Sequence, residues 1–271
     1  MSMRLSMGIV GFHSIAEPLQ GVLVSQPGSF GKLALPRLAR NWLPLNTHTV
    51  GDKPMAKPKL LDLFCGAGGC ARGYQQAGFY VVGVDIKLQP RYCGDEFIQA
   101  DALTFPLDGF DVIHASPVCK GYTELNSRHK TRHEKLILPV KERLQRTGKP
   151  FVIENVEGAV LELPGSITLC GTMFDLLVWR HRLFESNILL FAPGPCQHSL
   201  RPIGVYGATF WDSSQPGTLR KDGRRRPAIT TLQVACEAMA INWMTHEELT
   251  QAIPPAYTRY IGLQLIDILN S

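Results

Sequence analysis

The chain has 271 residues, enough for one α/β domain of good size and a small appendage. Hydrophobic residues make up 45% of it and charged residues 19%, as in an ordinary globular protein, and the net charge of +5 favours a polyanionic partner. No apolar run reaches the ~18 residues that a membrane-spanning helix needs. Seven cysteines without paired spacing argue against a disulfide framework and favour a reducing, cytoplasmic environment.

Residues 1–57 differ from the rest of the chain. They show no alternation of strand and helix patterns, and they lack the charged start, apolar middle and small-residue cleavage site of a secretory signal. Met55 precedes the first predicted strand in the way that a native N-terminus often does. We therefore expect this leader to be largely disordered, or to arise from a start codon upstream of the native one.

After the leader, the sequence alternates between strands and helices. Short runs of apolar and β-branched residues predict strands, and longer segments with helical periodicity predict helices. In chain order we predict a strand at 60–64, a helix at 70–77, strands at 80–85, 97–100 and 111–115, a helix at 132–147, a strand at 151–154, and helices at 229–243 and 258–270. This order indicates an α/β fold, a doubly wound and mostly parallel sheet covered on both faces.

The chain after the leader divides into three parts. Residues 58–185 form the main domain, residues 228–271 complete it with C-terminal helices, and residues 186–227 are expected to be a small, loop-rich insertion because they are rich in Pro, Gly, Ser and Arg. Within the insertion, Cys196-Gln197-His198 offers two metal ligands. No second pair with zinc-like spacing follows, so we interpret this segment as a loop and expect no metal site.

Polar and glycine-rich segments follow the predicted strands at regular intervals. The first strand runs into the glycine-rich turn 65–69, a geometry that brings backbone amides and a helix N-terminus close to a ligand. Asp85 follows the second strand, Cys119 lies shortly after the fourth, and Glu154 ends the fifth. Ligands of parallel sheets bind outside the carboxyl ends of the strands, so we expect these segments to share one site.

This ordered set resembles the DNA (cytosine-5)-methyltransferase family, specifically its short, phage-like members. The resemblance runs from about Lys57 to the C-terminus, and only 186–227 matches poorly. It implies an S-adenosylmethionine-dependent methyltransferase fold, double-stranded DNA as substrate, a monomer, and a bacterial or phage-infected cytoplasm. A restriction-independent or phage self-protection role would suit the small recognition region, and restriction-modification with a cognate endonuclease of unknown identity is the other role that the resemblance implies.

The resemblance assigns a set of residues to S-adenosylmethionine. Phe64 would lie against the adenine, the glycines would let the methionine moiety approach the backbone, and Asp85 would hold the ribose hydroxyls. For Phe64 a core aromatic and for Asp85 a turn residue are the alternatives. Asp101 either contacts the adenine amino group or caps the following turn, and we weigh the two equally. The cofactor-binding residues implied are Phe64, Gly66, Gly68, Asp85, Asp101, Pro117 and Gln251.

Cys119 matches the family nucleophile, whose thiolate adds to C6 of cytosine and makes C5 able to take the methyl group. A buried structural cysteine is the alternative. Glu154 matches the acid that hydrogen-bonds cytosine N3 and the 4-amino group. A solvated carboxylate at the end of a strand is the alternative for Glu154. Arg182 matches an arginine that reaches the cytosine O2 or the backbone, with surface ion pairing as its alternative.

Because C5 lies inside a duplex, the target base must be flipped out, which requires a DNA-binding cleft. The insertion occupies the place of the family's target-recognition region, and its shortness suggests a short recognition sequence. Solvated surfaces are the alternative for the basic runs at 128–141 and 220–226. The DNA-binding residues expected are Arg180, Arg224, Arg225 and Arg226.

The chain departs from the family pattern at three places. Val118 replaces the proline that normally precedes the nucleophile, Lys120 replaces a glutamine, and Thr250-Gln251 replaces glycine-asparagine. Val118 frees φ at the turn, Gln251 either still caps the cofactor or reshapes its pocket, and together these changes put the rate and the exact cofactor in question. Two other functions therefore stay open: a catalytically silent relative that binds DNA or cofactor, and a cytosine-modifying enzyme with another donor or an RNA acceptor.

Overall fold

The computed structural model describes residues 56–122, 133–199, 201–219, 221 and 225–271. The predicted leader therefore falls almost entirely outside the described residues, as does Arg224. The side chains of Arg225 and Arg226 also lie outside the described part of the chain.

A seven-stranded sheet forms the centre of the described chain. Its strands are β1 Lys59–Leu63, β2 Tyr80–Asp85, β3 Glu96–Gln99, β4 Val112–Ala115, β5 Phe151–Asn155, β6 Ile167–Leu169 and β7 Arg182–Ser186. They lie in the order β3-β2-β1-β4-β5-β7-β6. The first five are parallel, and β7 runs antiparallel between β5 and β6. The mostly parallel, doubly wound α/β sheet expected from the sequence is confirmed.

Helices cover both faces of this sheet. The helices of the described residues are α1 Gly69–Ala77, α2 Ile137–Gln145, α3 Leu232–Met239, α4 His246–Gln251 and α5 Pro255–Leu269. Side chains alternate along β1, so Leu61 packs with α2 on one face and Leu60 packs with α1 and α5 on the other. The strands are apolar on both faces because both faces are buried.

The predicted helices are present in the structure, but their bounds differ from the predicted ones. The segment predicted as helical at 132–147 is helical over Ile137–Gln145, and the one at 229–243 over Leu232–Met239. The final helix begins at Pro255, three residues earlier than predicted, because proline at the first helical position lacks an N–H that would have no partner there. Helix α4 was not predicted.

The expected insertion contains a small antiparallel sheet rather than loops alone. Its strands are β8 Ile203–Gly204, β9 Trp211–Leu219 and β10 Arg225–Ile229, in the order β10-β9-β8. Ile203 and Phe210 from this part of the chain are buried against Ala235 and Met239 of α3. A separate apolar cluster therefore holds the small sheet on the C-terminal helices.

None of the described helices is long and apolar enough to cross a lipid bilayer.

Candidate active site

A cleft of about 720 Å³ opens at the carboxyl ends of β1, β2, β4 and β5. It is the edge at which ligands of parallel sheets bind. Predicted site residues from distant parts of the sequence meet there: Phe64, Gly66, Asp85, Asp101, Pro117, Cys119, Glu154, Arg182 and Gln251. Gly68 and Arg180 are not among the lining residues.

The glycine-rich turn after β1 is held in left-handed backbone conformations. Phe64 has φ 60°, Gly66 φ 48° and Gly68 φ 86°, and Gly68 caps the N-terminus of α1. The Gly66 amide donates to Oδ2 of Asp85 at 3.0 Å. A Cβ on Gly68 would lie 2.9 Å from the Cys93 sulfur, so this glycine serves the close approach of its neighbours while Gly66 faces the cleft.

The two predicted acceptors of the cofactor site are partly occupied by backbone amides. Asp85 Oδ1 accepts from the Lys87 amide at 2.9 Å, in addition to the bond from Gly66 to its Oδ2. Asp101 Oδ1 accepts from the Leu103 amide at 2.9 Å, which is the turn-capping arrangement weighed from the sequence. Asp101 also lines the cleft, so the same carboxylate caps its turn and faces the site.

Asp62 is a further acidic residue of the cleft that the sequence analysis did not assign to the site. It is fully buried in β1, lines the cleft, and neither carboxylate oxygen has a partner among the described residues. Burial raises its pKa well above the ordinary value, and the charges of Asp85 and Glu154 raise it further. Its signal in the sequence is a carboxylate inside a strand whose neighbours are all buried leucines.

The segment that carries Cys119 is fixed to the end of β5. Val118 has φ −49° and ψ 120°, and a single 3₁₀ turn follows over Cys119–Gly121. The buried Asn155 side chain donates from Nδ2 to the Pro117 carbonyl at 2.8 Å. Cys119 is partly exposed at the cleft, so the structure rejects a buried structural cysteine at this position.

Glu154 and Arg182 form a largely buried ion pair beside the cleft. Arg182 Nε lies 3.1 Å from Glu154 Oε1, and the two side chains are 14% and 7% exposed. Burial raises the pKa of Glu154, and the charge of Arg182 and a hydrogen bond from Ser116 oppose that rise. The Glu154 carboxyl therefore takes up a proton more readily than it would in water, although it lies next to the Arg182 cation.

A buried hydrogen-bonded chain supports Ser116 from behind. Tyr74 Oη lies 2.9 Å from His114 Nδ1, and His114 Nε2 lies 2.8 Å from Ser116 Oγ. Burial lowers the pKa of His114 to about 3, so this histidine is neutral and has one nitrogen to donate and one to accept. These hydrogen bonds orient Ser116 toward Glu154.

Arg180 does not occupy the position predicted for a DNA contact. It is 1% exposed, and its Nη1 donates to the Val205 carbonyl at 3.1 Å while its Nη2 donates to the Thr250 carbonyl. The Tyr257 hydroxyl donates to the Arg180 carbonyl at 2.6 Å. Arg180 therefore ties the small sheet to helices α4 and α5, and we correct its role to a structural one.

The C-terminal segment completes the cleft. Gln251 ends α4 and lines the cleft together with Ala252 and Ile253. The indole Nε1 of Trp243 donates to the Ala67 carbonyl at 2.9 Å, which fixes the glycine-rich turn to the segment before α4. Of the basic residues predicted at the small sheet, Arg225 and Arg226 begin β10.

Solved structures with this fold include methyltransferases. A prophage-encoded methyltransferase from E. coli assigned to DNA modification is 14% identical, with a TM-score of 0.53, and the match covers 79% of this chain and 100% of that one. The Dnmt2 methyltransferase from S. pombe is 14% identical, with a TM-score of 0.51, and the match covers 80% and 100%. No protein-family model and no curated protein matches the sequence. The chain has the fold of S-adenosylmethionine-dependent methyltransferases.

Proposed function

We propose that this protein transfers a methyl group from S-adenosylmethionine to C5 of cytosine in DNA. The observation that carries the proposal is the shared cleft. It brings the glycine-rich turn and Asp85 together with Cys119, Glu154 and Arg182, although these residues come from five strand ends spread over more than a hundred positions.

The buried Asp62 carboxylate is the feature of the cleft that best fits the cofactor. Asp62 presents a buried carboxylate without a partner among the described residues, a costly arrangement that a ligand ammonium group would relieve. S-adenosylmethionine carries such a group, and when bound it supplies an activated methyl group. Phe64 would face the adenine, Gly66 would admit the methionine moiety, and Asp85, with lone pairs beyond its two amide bonds, would accept from the ribose hydroxyls.

The nucleophile and acid of the proposed reaction are Cys119 and Glu154. The Cys119 thiolate forms a bond to C6 of the flipped cytosine, and C5 becomes enamine-like and able to accept the methyl group. Loss of the C5 proton then expels the cysteine and restores the ring. Burial raises the pKa of Glu154, so this carboxyl takes up a proton more readily than an exposed glutamate; the protonated form donates to N3 and makes C6 more electrophilic, and the pair with Arg182 holds Glu154 in place.

DNA is proposed as the acceptor because the sequence has a run of arginines at the small sheet. Arg225 and Arg226 begin β10 of the small sheet, and Arg224 precedes them. Arginines on phosphates would fix the duplex without reading its sequence and would make binding steeply dependent on salt. The cytosine itself must leave the stack to reach a cleft of this kind.

Covalent trapping tests the proposal directly. The protein is incubated with S-adenosylmethionine and either a duplex or an RNA in which cytosine carries fluorine at C5. Because fluorine cannot leave as a proton does, the Cys119 adduct should persist on the DNA and appear in denaturing electrophoresis and in peptide mass spectrometry. Cys119→Ser should form no adduct, and Cys236→Ser, a change at a partly exposed cysteine of α3, should form it normally.

The other outcomes separate the alternatives. An adduct on RNA alone would replace the DNA substrate with an RNA acceptor. A protein that binds S-adenosylhomocysteine but forms no adduct on either acceptor would be the silent relative. If Cys119→Ser still methylated cytosine at the wild-type rate, the nucleophile would be misassigned.

A further inference from the structure

Four metal-ligand side chains meet at the edge of the sheet where β6 ends and β7 begins. They are Cys170, His181, Cys196 and His198, here called the Cys/His cluster, and one ligand atom from each lies within 4.8 Å of every other. Cys170 follows β6, His181 precedes β7, and the other two lie in the segment between β7 and β8. We propose that the Cys/His cluster is a structural zinc site. This proposal does not depend on the proposed methyl transfer.

The separations of two cysteine–histidine pairs match those of a tetrahedral zinc site. With typical Zn–S and Zn–N bond lengths, a tetrahedron places a cysteine sulfur and a histidine nitrogen about 3.6 Å apart. In the structure Cys170 Sγ lies 3.4 Å from His198 Nε2, and Cys196 Sγ lies 3.6 Å from His181 Nε2. Two thiolates and two imidazoles form a ligand set that selects zinc among the common divalent metals of the cell.

The second ring nitrogen of His181 has the partner that zinc-binding histidines usually have. His181 Nδ1 lies 3.5 Å from Glu157 Oε2, so Nε2 is the nitrogen turned toward the cluster. A carboxylate on the far nitrogen fixes the tautomer and orientation of a ligating ring. The His198 ring is held too, because it stacks on Trp179 with ring centres 4.3 Å apart.

The backbone around the cluster is tied together by Thr172. Its Oγ1 lies 3.3 Å from Cys170 Sγ and accepts the Gln197 amide at 3.2 Å. This bond joins the turn that carries one ligand to the segment that carries two others. The four ligand positions are therefore brought together by bonds other than those of the metal itself.

A metal ion in the Cys/His cluster would link separate parts of the fold. His181 stands between Arg180, which bonds the small sheet, and Arg182, which bonds Glu154 of the cleft. A zinc ion there would fix the segment between β7 and β8 onto the main sheet and would hold both arginines in register. The ligands range from buried Cys170 to exposed His198, which leaves a path for the ion to enter.

The test measures zinc in the full-length protein, purified without chelator, under reducing conditions and with any histidine tag removed. Inductively coupled plasma mass spectrometry should find ~1 zinc per chain, as a closed four-ligand site requires. Replacement of the zinc by Co²⁺ should give the intense visible bands of a tetrahedral cobalt–thiolate site. Cys170→Ser/Cys196→Ser should lose both signals, and Cys236→Ser, at a cysteine outside the cluster, should keep both.

A milder variant keeps the test decisive if the double variant fails to fold. Glu157→Gln leaves all four ligands in place and should weaken zinc affinity by about 10–100-fold, measured by competition with a chromophoric chelator. The proposal is overturned if the wild-type protein takes up no zinc in equilibrium dialysis, or if the double variant retains it. A disulfide between Cys170 and Cys196 that persists under these reducing conditions, detected by thiol counting, would also overturn it.

Discussion

Arg182 Nε lies 3.1 Å from Glu154 Oε1, and this bond joins the first residue of the antiparallel strand β7 to β5 at the cleft. Two charges removed from water depend on each other, because each compensates the desolvation of the other. The pair therefore has two roles. It stabilises the junction of the parallel and antiparallel parts of the sheet, and it sets the protonation of the acid proposed to act on cytosine.

Arg182→Met should destabilise the protein strongly at neutral pH. Removal of one partner from a buried pair typically costs about 3–5 kcal/mol, because the remaining charge is left unpaired. Arg182 lowers the pKa of Glu154, so its loss lets that pKa rise further and Glu154 can escape the cost by binding a proton. The loss of stability, measured by urea unfolding, should therefore shrink as the pH falls.

Arg146→Met is the matched control for this change. Arg146, the residue that caps the C-terminus of helix α2, pairs with Glu142 of that helix at 3.6 Å, and both side chains are largely exposed. An exposed pair four residues apart on a helix contributes about 0.3–0.5 kcal/mol. Similar losses for the two variants would contradict the compensating role assigned to Arg182.

The buried Asp62 carboxyl should make the stability of the ligand-free protein depend on pH. Its folded-state pKa is raised, so its contribution to stability is complete below the unfolded-state pKa of about 4 and is lost as the pH rises through the folded-state value. Asp62→Asn carries no ionisable group there. The stability of the wild type relative to this variant, from denaturant unfolding in ligand-free protein, should fall as the pH rises.

S-adenosylhomocysteine should reverse that trend, because its ammonium group would pair with the ionised Asp62 carboxylate. The ligand should raise the melting temperature of the wild type more than that of Asp62→Asn, and the difference should grow with pH. Asp108→Asn, at an exposed aspartate on a loop, is the control and should respond to ligand as the wild type does. Equal ligand shifts for all three proteins would remove Asp62 from the cofactor site.

The sheet and most of the cleft were predictable because they depend on local pattern. Buried parallel strands need apolar residues on both faces, and the polar residues at their ends stand out against that background, as Asp85 and Glu154 do. Asp62 was missed because only the folded structure shows that its carboxylate is buried without a partner among the described residues. Helix α4 was missed although Thr245 and Glu248 form a capping box whose pattern is visible in the sequence.

The contacts of Arg180 and the assembly of the Cys/His cluster could not be obtained from spacing. Arg180 and Arg182 differ by two positions, yet one bonds carbonyl groups in the interior and the other bonds a carboxylate at the cleft. Cys170 and His198 lie 28 positions apart and meet only because β6, β7 and the segment after them fold together. Contacts of this kind depend on the tertiary structure.

Gly69→Ala should weaken cofactor binding and stability together. A Cβ at Gly69 would lie 2.5 Å from the Ile253 carbonyl oxygen, so α1 or the segment before α5 must move. Overpacking of this kind costs about 1–3 kcal/mol. Because both segments line the cleft, calorimetry should also show weaker binding of S-adenosylhomocysteine.

Gly109→Ala separates packing from backbone strain. Gly109 has φ +81°, a Cβ added there would meet no described atom within 4 Å, and the residue lies at the opposite end of β4 from the cleft. The strain of a left-handed alanine costs about 1–2 kcal/mol, but affinity for the ligand should stay at the wild-type value. An unchanged affinity in Gly69→Ala would contradict the contact between the glycine-rich turn and the C-terminal segment.

Val118→Pro should stabilise the protein, although the family resemblance treats valine there as a departure. Val118 already has φ −49°, close to the value that proline imposes, it is 46% exposed, and its amide has no acceptor among the described residues. Proline at a compatible position stabilises the protein by about 0.4–1 kcal/mol, because it restricts the unfolded chain.

Val160→Pro is the matched control. Val160 has φ −54° and is 51% exposed, but its amide donates to the Glu157 carbonyl at 3.2 Å, so proline there should destabilise the protein. Urea unfolding of both variants should give shifts of opposite sign, and a loss of stability in Val118→Pro would mean that the turn before Cys119 needs a conformation that proline cannot adopt.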